Sequence, residues 1–129
     1  MNCFQLLEHT ADIGIEAMAE DREGLPEQSG YGLKLLLFGD IEPAPIRRQI
    51  LVAGGLSAEE TLVNWLNELL YLMYEGKLVP AVIRIRHFAE KEISAEVEGE
   101  LLGPERYHPL REIKAVTFHQ TRIEHDGQC

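Results

Sequence analysis

The segment from Ser57 to Tyr74 constrains the fold more than any other part of the chain. Its large apolar residues recur at helical spacing and form one broad stripe, made of Leu62, Trp65, Leu66, Leu69, Leu72 and Met73. Ser57 and Glu60 have the spacing of a capping box, in which each side chain satisfies a backbone donor at the start of a helix. Gly76 follows the last periodic residue, where a left-handed glycine often ends a helix. The pattern predicts a long amphipathic helix.

Most of the remaining chain alternates apolar and polar residues with the period of two that is typical of half-buried strands. Such stretches cover residues 3–7, 13–19, 46–53, 79–86, 93–99, 113–118 and 120–124. A second helix is predicted over residues 22–39 with Asp21 as its candidate N-cap, although three glycines and a proline lower its helix propensity. This order predicts an α+β fold, a single compact domain over residues 1–129 with a mostly antiparallel sheet and two helices.

Two of the expected strands carry predictions about which side chains share a face. In the stretch from 46 to 53, the aliphatic residues Ile46, Ile50 and Val52 are expected on a common face. In the late stretch, Ile113 and Ala115 are expected on one face, and Lys114 and Val116 on the other.

The chain is strongly acidic, with 22 Asp and Glu against 12 Lys and Arg and a formal net charge of −10. Because nucleic-acid affinity depends largely on neutralising phosphates, direct RNA binding is disfavoured. The charge either keeps the protein in solution or attracts a basic partner or a cation. Arg84 and Arg86 are expected to lie on the solvent face of a sheet or to pair with the acidic strand 92–98.

Cysteine content and the N-terminus indicate the compartment. Cys3 and Cys129 are the two cysteines, too few for the disulfide framework of a small secreted domain. They could join only if the termini meet, and we expect free thiols in a reducing cytosol. The N-terminal residues lack the basic flank and apolar run of a signal peptide, and no run approaches the length of a membrane span. These features predict a soluble, cytoplasmic protein.

Familiar catalytic patterns are scarce. The three serines, Ser29, Ser57 and Ser94, do not lie in a nucleophile-elbow sequence. Residues 53–56 contain two glycines but lack the lysine and the spacing of a phosphate-binding loop. The histidines do not show zinc spacing. A non-catalytic role is therefore favoured over a hydrolase.

The main chemical candidates lie between the first two expected strands. Glu8, His9 and Asp12 are three groups able to ligate a metal or move a proton within five residues. Oxygen ligands suit calcium, magnesium or manganese, whereas imidazole suits softer ions. The alternative is a turn in which Asp12 accepts hydrogen bonds from nearby backbone amides, and the residues alone favour that turn.

Three segments together resemble the archease family. Residues 9–15, His-Thr-Ala-Asp-Ile-Gly-Ile, look like its N-terminal signature. Residues 62–71 resemble its long central helix, and residues 112–119, Glu-Ile-Lys-Ala-Val-Thr-Phe-His, are similar to its late strand. The order and spacing agree from about residue 5 to residue 126, and the three segments in sequence are far more specific than any one alone.

The resemblance implies a compact layered domain that binds a divalent cation, calcium or one like it, at an acidic site. Archeases act as partners of the RNA ligase that joins 3′-phosphate to 5′-hydroxyl ends in tRNA splicing, promoting its guanylylation and turnover without ligating RNA themselves. A second view makes them chaperones or specificity factors for a tRNA methyltransferase. By position, Asp12 matches the metal carboxylate and Lys114 a lysine that we assign to partner activation. His9 matches the first signature residue, with a supporting role.

The C-terminus departs from the family pattern. Residues 124–129 resemble the hairpin turn before the family's final strand, so we expect that strand, and the aspartate in it that completes the metal site, to be lacking. Asp126 is a poor substitute. Since calcium takes six to eight oxygen ligands, the expected site is incomplete.

Overall fold

Up to residue 101 the strands and helices follow the predicted order, and the strand expected over residues 120–124 lies outside the described residues. The computed structural model describes residues 2–8 and 13–117. Its elements are β1 Cys3–Glu8, β2 Ile13–Met18, α1 Gly24–Phe38, β3 Arg47–Gly54, α2 Ala58–Tyr74, β4 Leu78–Ala89 and β5 Glu92–Leu101. β1 and β2 form an antiparallel pair, and a separate antiparallel sheet has the order β3-β5-β4. The predicted α+β class, with two helices and antiparallel sheets in one compact domain, is confirmed.

Helix α2 begins at the predicted cap and forms the centre of the core. The Ser57 side chain accepts a hydrogen bond from the Glu60 amide at 3.1 Å. Trp65 on this helix is fully buried, and its Nε1 donates to the Pro26 carbonyl at 3.1 Å, which ties α2 to α1. The buried residues of α2 are Thr61, Val63, Trp65, Leu66, Leu69, Leu70 and Met73, close to the predicted stripe.

The end of α2 differs from the prediction in one respect. The left-handed residue there is Lys77, with φ of 55°, and not Gly76. Gly76 is needed for a different reason, because a Cβ at that position would lie 2.6 Å from the Leu72 carbonyl oxygen. The glycine therefore allows the chain to turn back closely against the last turn of the helix.

Helix α1 contains glycine because it packs closely against its neighbours. A Cβ built on Gly30 would lie 2.9 Å from Ile83 Cδ1 on β4 and 3.1 Å from Leu69 Cδ2 on α2. At the start of the helix, Asp21 Oδ1 accepts a hydrogen bond from the Gly24 amide at 2.8 Å, near its predicted role. Low helix propensity is thus offset by contact with the core.

The three-stranded sheet turns one face to the core and the other to solvent. On β3, Leu51 and Ala53 pack against the core. Ile46, Ile50 and Val52 share the solvent side and are 69%, 43% and 59% exposed, so their predicted common face is the outer one. These exposed aliphatic residues have no role in the core of the described structure.

A carboxylate on β5 organises the charges of this outer face. Glu96, whose side chain is 11% exposed, accepts from Arg48 Nε at 2.9 Å and Nη2 at 3.1 Å. Arg84 and Arg86 lie 3.8 and 3.6 Å from the same carboxylate, and Arg84 also pairs with Glu98 at 2.7 Å. The predicted pairing of the arginines with the acidic strand is confirmed. These contacts neutralise most of the basic charge on the outer face.

One expectation about the cysteines is wrong. Cys3, at the start of β1, is disulfide-bonded and not a free thiol.

Candidate functional site

Two of the three predicted site residues, His9 and Asp12, lie outside the described residues. Strands β1 and β2 pair from Cys3 with Met18 to Glu8 with Ile13, so residues 9–12 connect them in the sequence. Within residues 2–8 and 13–117, no group of three histidine, cysteine, aspartate or glutamate side chains could hold a metal ion. The predicted roles of Asp12 and His9 therefore stay predictions.

The segment that carries Lys114 is described up to Thr117, and it is not the predicted strand. Residues 112–117 have no regular secondary structure. Ile113 and Val116 are half-buried against the core, whereas Lys114 and Ala115 are exposed. The buried positions are therefore three apart, and the alternating faces predicted for this segment are wrong. We call residues 110–117 the crossing segment, because they pass from the C-terminal end of α1 along α2 from Tyr74 to Asn67.

The crossing segment is first tied to the C-terminal end of α1. The Leu110 amide donates to the Leu37 carbonyl at 2.6 Å, and Arg111 Nη1 donates to the Leu36 carbonyl at 3.0 Å. Both acceptors belong to the last turn of α1, where carbonyl groups lack partners within the helix. The contact therefore satisfies groups on both elements.

The side chain of Asn67 on α2 makes the hydrogen bonds to Val116 that a neighbouring strand would otherwise make. Its side-chain oxygen accepts from the Val116 amide at 2.7 Å, and its Nδ2 donates to the Val116 carbonyl at 2.9 Å. One side-chain amide thus satisfies both backbone groups of that residue. This explains why a sequence with strand-like alternation lies here without a β-ladder, since buried backbone polar groups need a partner of some kind.

Tyr74 makes a second contact of this kind two helical turns further along α2. Its hydroxyl accepts from the Ile113 amide at 2.7 Å and donates to the Arg111 carbonyl at 3.4 Å. Asn67 and Tyr74 are seven residues apart and so lie on the same side of the helix. Between them they hold Ile113 and Val116, on either side of Lys114.

Lys114 consequently lies beside a shallow hollow on the surface of α2. The hollow has a volume of about 320 Å³ and is lined by Asn67, Leu70, Tyr71, Tyr74, Glu75 and Lys114. Lys114 is exposed, and so is Tyr71. An ammonium group can donate up to three hydrogen bonds. The arrangement is suited to contact with an acidic or hydrogen-bond-accepting group on another molecule.

The end of α2 next to this hollow is held by a second tyrosine. The Tyr107 hydroxyl donates to the Met73 carbonyl at 3.1 Å, and the Lys77 ammonium lies 4.3 Å from the centre of the Tyr107 ring. Burial, followed by the neighbouring Tyr74 and Glu75, raises the pKa of Tyr107. The hydroxyl therefore stays a neutral donor.

The sequence marked Lys114 as a candidate, and that role stays a prediction, but it did not indicate the residues that hold its segment. In the sequence, Asn67 has the position of a polar residue beside the apolar stripe of an amphipathic helix, and Tyr74 lies at the end of that helix. A signal was present in their spacing, because polar groups seven residues apart form a line beside the apolar face. Nothing in the spacing indicated that the line would bond to backbone 39 to 49 residues away.

Comparison with known proteins places the chain in a family. The family model described as the Archease protein family (MTH1598/TM1083) matches residues 4–129. The protein archease of Methanosarcina mazei is 32% identical over 126 residues, covering 94% of this chain and 86% of the relative. That of Thermococcus kodakarensis is 32% identical over 131 residues, covering 96% and 89%. The chain belongs to the archease protein family.

A solved structure shows the same fold. The solution structure of protein 1598 from Methanobacterium thermoautotrophicum matches with a TM-score of 0.65, at 23% identity, over 94% of this chain and 88% of that one. Within residues 2–8 and 13–117, no helix is long and apolar enough to cross a bilayer.

Proposed function

We propose that this protein activates the RNA ligase that joins 3′-phosphate to 5′-hydroxyl ends in tRNA splicing or RNA repair. The observation that carries the proposal is the exposed Lys114, held in place on α2 by the side chains of Asn67 and Tyr74. Membership of the archease family supports it. In this account Lys114 donates to an acceptor group on the ligase, and the protein forms no covalent intermediate.

The charge of the chain supports a protein partner over direct RNA binding. With a formal net charge of −10, the protein is repelled by phosphate backbones and attracted to the basic surface of an enzyme that handles nucleic acid. Opposite charges on two partners mainly speed their encounter and suppress wrong partners. The proposed setting is the cytoplasm, where such an enzyme would be met.

Asp12 and His9 belong to the metal-binding part of the proposed site. Carboxylate oxygens at Glu8 and Asp12 are the ligands that calcium prefers, and bound calcium would fix the connection between β1 and β2. In this proposal Asp12 is the essential ligand and His9 supports its orientation. Calorimetric titration with calcium should show binding to the wild type and none to Asp12→Ala. Equal binding by both proteins would remove Asp12 from the site.

The direct test uses the cognate ligase. Incubation with the ligase and GTP should increase the amount of guanylylated enzyme and allow repeated ligation, compared with ligase alone. No gain in either quantity would end the proposal. Pull-down from a cell lysate, with this protein as the bait, should recover the ligase. Recovery of a tRNA methyltransferase in its place would favour the alternative role as a specificity factor for that enzyme.

A further inference from the structure

The outer edge of β3 presents backbone groups that the rest of the described chain does not use. β3 pairs with β5, and within residues 2–8 and 13–117 no strand pairs with its other side. Just before β3 the ladder is irregular, since the Ile46 amide donates to the Gly99 carbonyl at 3.1 Å. Within β3, Arg47–Gly54, the odd-numbered residues of the antiparallel ladder face β5, in line with the Gly55 amide, which donates to the Lys91 carbonyl just after the strand. The amides and carbonyls of the even-numbered residues therefore point to the free edge.

This free edge is short and symmetric about Ile50. At the far end of β3, the Gly54 carbonyl already accepts from Asn64 Nδ2 at 2.6 Å. Arg48, Ile50 and Val52 remain, with one 3.5 Å contact from Gln49 Nε2 to the Ile50 carbonyl. At the opposite edge of the sheet, which β4 forms, a side chain satisfies a backbone group, because the Ile83 amide donates to the Tyr31 hydroxyl at 2.8 Å. Among the described residues, the β4 edge of the sheet is thus partly covered and the β3 edge is open.

The open edge also carries exposed aliphatic side chains. Ile50 and Val52 project from the outer face next to the unpaired backbone groups and are 43% and 59% exposed. An exposed edge strand with aliphatic side chains is a template for pairing with another strand. Natural proteins cover such edges or place charges on them, and here Arg47 and Arg48 occupy one end.

We propose that two copies of this protein pair through β3 in antiparallel orientation, with the two-fold axis at Ile50. The two three-stranded sheets then form one continuous antiparallel sheet. In this register Ile50 opposes Ile50 of the second copy, and Arg48 opposes Val52 of the second copy. The three residues with free backbone groups on each copy satisfy those of the other, which the symmetry about Ile50 requires.

The charges are compatible with this pairing. Arg48 already holds Glu96 through two nitrogens, so its charge is neutralised within its own chain, and it meets an aliphatic residue across the axis. Arg47 lies on the helix side of β3 and has no ion-pair partner among the described residues of its own chain. It would oppose Ala53 of the second copy.

Beside that position the second copy supplies a carboxylate. A Cβ built on Gly55 would lie 3.0 Å from Glu60 Cβ, so the Glu60 side chain starts next to the residue that follows β3. Arg47 of one copy therefore reaches toward Glu60 of the other, twice per dimer. A chain with a net charge of −10 is repelled by its own copies at long range. In this proposal the register is selected by the local pairing of Arg47 with Glu60 of the other copy.

A cysteine introduced on the axis tests the register. Ile50→Cys places two thiols opposite each other, at a Cα separation of about 5.5 Å that a disulfide can span. Under mild oxidation this variant should form a covalent dimer. Val52→Cys is the matched control, since its two thiols would be four residues apart along the strand, about 13 Å at roughly 3.3 Å per residue. Equal cross-linking of the two variants, or none by Ile50→Cys, would overturn the proposal.

Sedimentation equilibrium on the unmodified chain tests the dimer itself. The wild type should show a concentration-dependent monomer–dimer equilibrium, and Ile50→Pro should be monomeric with an unchanged circular dichroism spectrum, because the Ile50 amide is not bonded to β5. Arg47→Glu should weaken the dimer, and adding Glu60→Arg should restore it. A wild type that stays monomeric at millimolar concentration would refute the pairing, as would a dimer that Ile50→Pro and Arg47→Glu leave unchanged.

Discussion

Removing the side-chain amide of Asn67 should release part of the crossing segment without unfolding the protein. Asn67→Ala deletes two hydrogen bonds to Val116, at 2.7 and 2.9 Å. Each bond contributes a net free energy of about 1 kcal/mol, so closure of the segment should lose about 2 kcal/mol. Since 1.36 kcal/mol corresponds to a factor of ten, local opening should become roughly 30 times more frequent.

Native-state hydrogen exchange measures this opening directly. The Val116 amide should exchange roughly 30 times faster in Asn67→Ala than in the wild type, while core amides such as Leu69 keep their protection. Asn64→Ala is the matched control, because Asn64 is on the same helix but donates to Gly54 on β3. Val116 exchange that is unchanged in Asn67→Ala, or equally faster in Asn64→Ala, would refute the proposed anchoring.

Two further predictions concern stability. Gly99→Ala should lower the free energy of unfolding by about 3 kcal/mol, because a Cβ at this position would overlap a backbone carbonyl on β4. Gly103→Ala is the control and should change the free energy of unfolding little, because no atom lies within 4 Å of a Cβ built there. Equal melting temperatures of the two variants would contradict this. The hydrogen bond from the Ala44 amide, and after it the hydrogen bond from Arg106, lowers the pKa of the Glu100 carboxyl. The stability that the Glu100 carboxylate contributes is therefore present above its unfolded pKa and is lost as pH falls through its folded pKa. The free energy of unfolding of Glu100→Gln, measured by urea titration, should therefore fall less in acid than that of the wild type. The same dependence on pH in both proteins would contradict this.

The elements of the fold could be predicted from the sequence where local pattern and tertiary packing agree. The stripe of α2, its Ser57 cap and the alternation of β4 and β5 all reflect residues that face the core of the same domain. Glycine at position 30 lowered the predicted propensity of α1, yet the helix forms because that glycine touches Ile83 and Leu69. A single sequence does not show which distant side chain will occupy that space.

The candidate site was predicted less completely for a related reason. Alternation in residues 113–117 indicated a strand, but its backbone partners are the side chains of Asn67 and Tyr74. Strand patterns report which side chains are buried and do not report what satisfies the backbone. Lys114 was identified through the resemblance to a family, whereas the residues that hold its segment became evident from hydrogen bonds between positions far apart in sequence.

Multiple-turnover RNA ligation with the cognate ligase, GTP and either Lys114→Ala or Lys91→Ala tests the central claim most directly. Both lysines are exposed, but Lys91 lies in the turn between β4 and β5, away from the hollow on α2. The account predicts that Lys114→Ala folds normally and loses the stimulation of turnover, while Lys91→Ala stimulates like the wild type. Full stimulation by Lys114→Ala would contradict it.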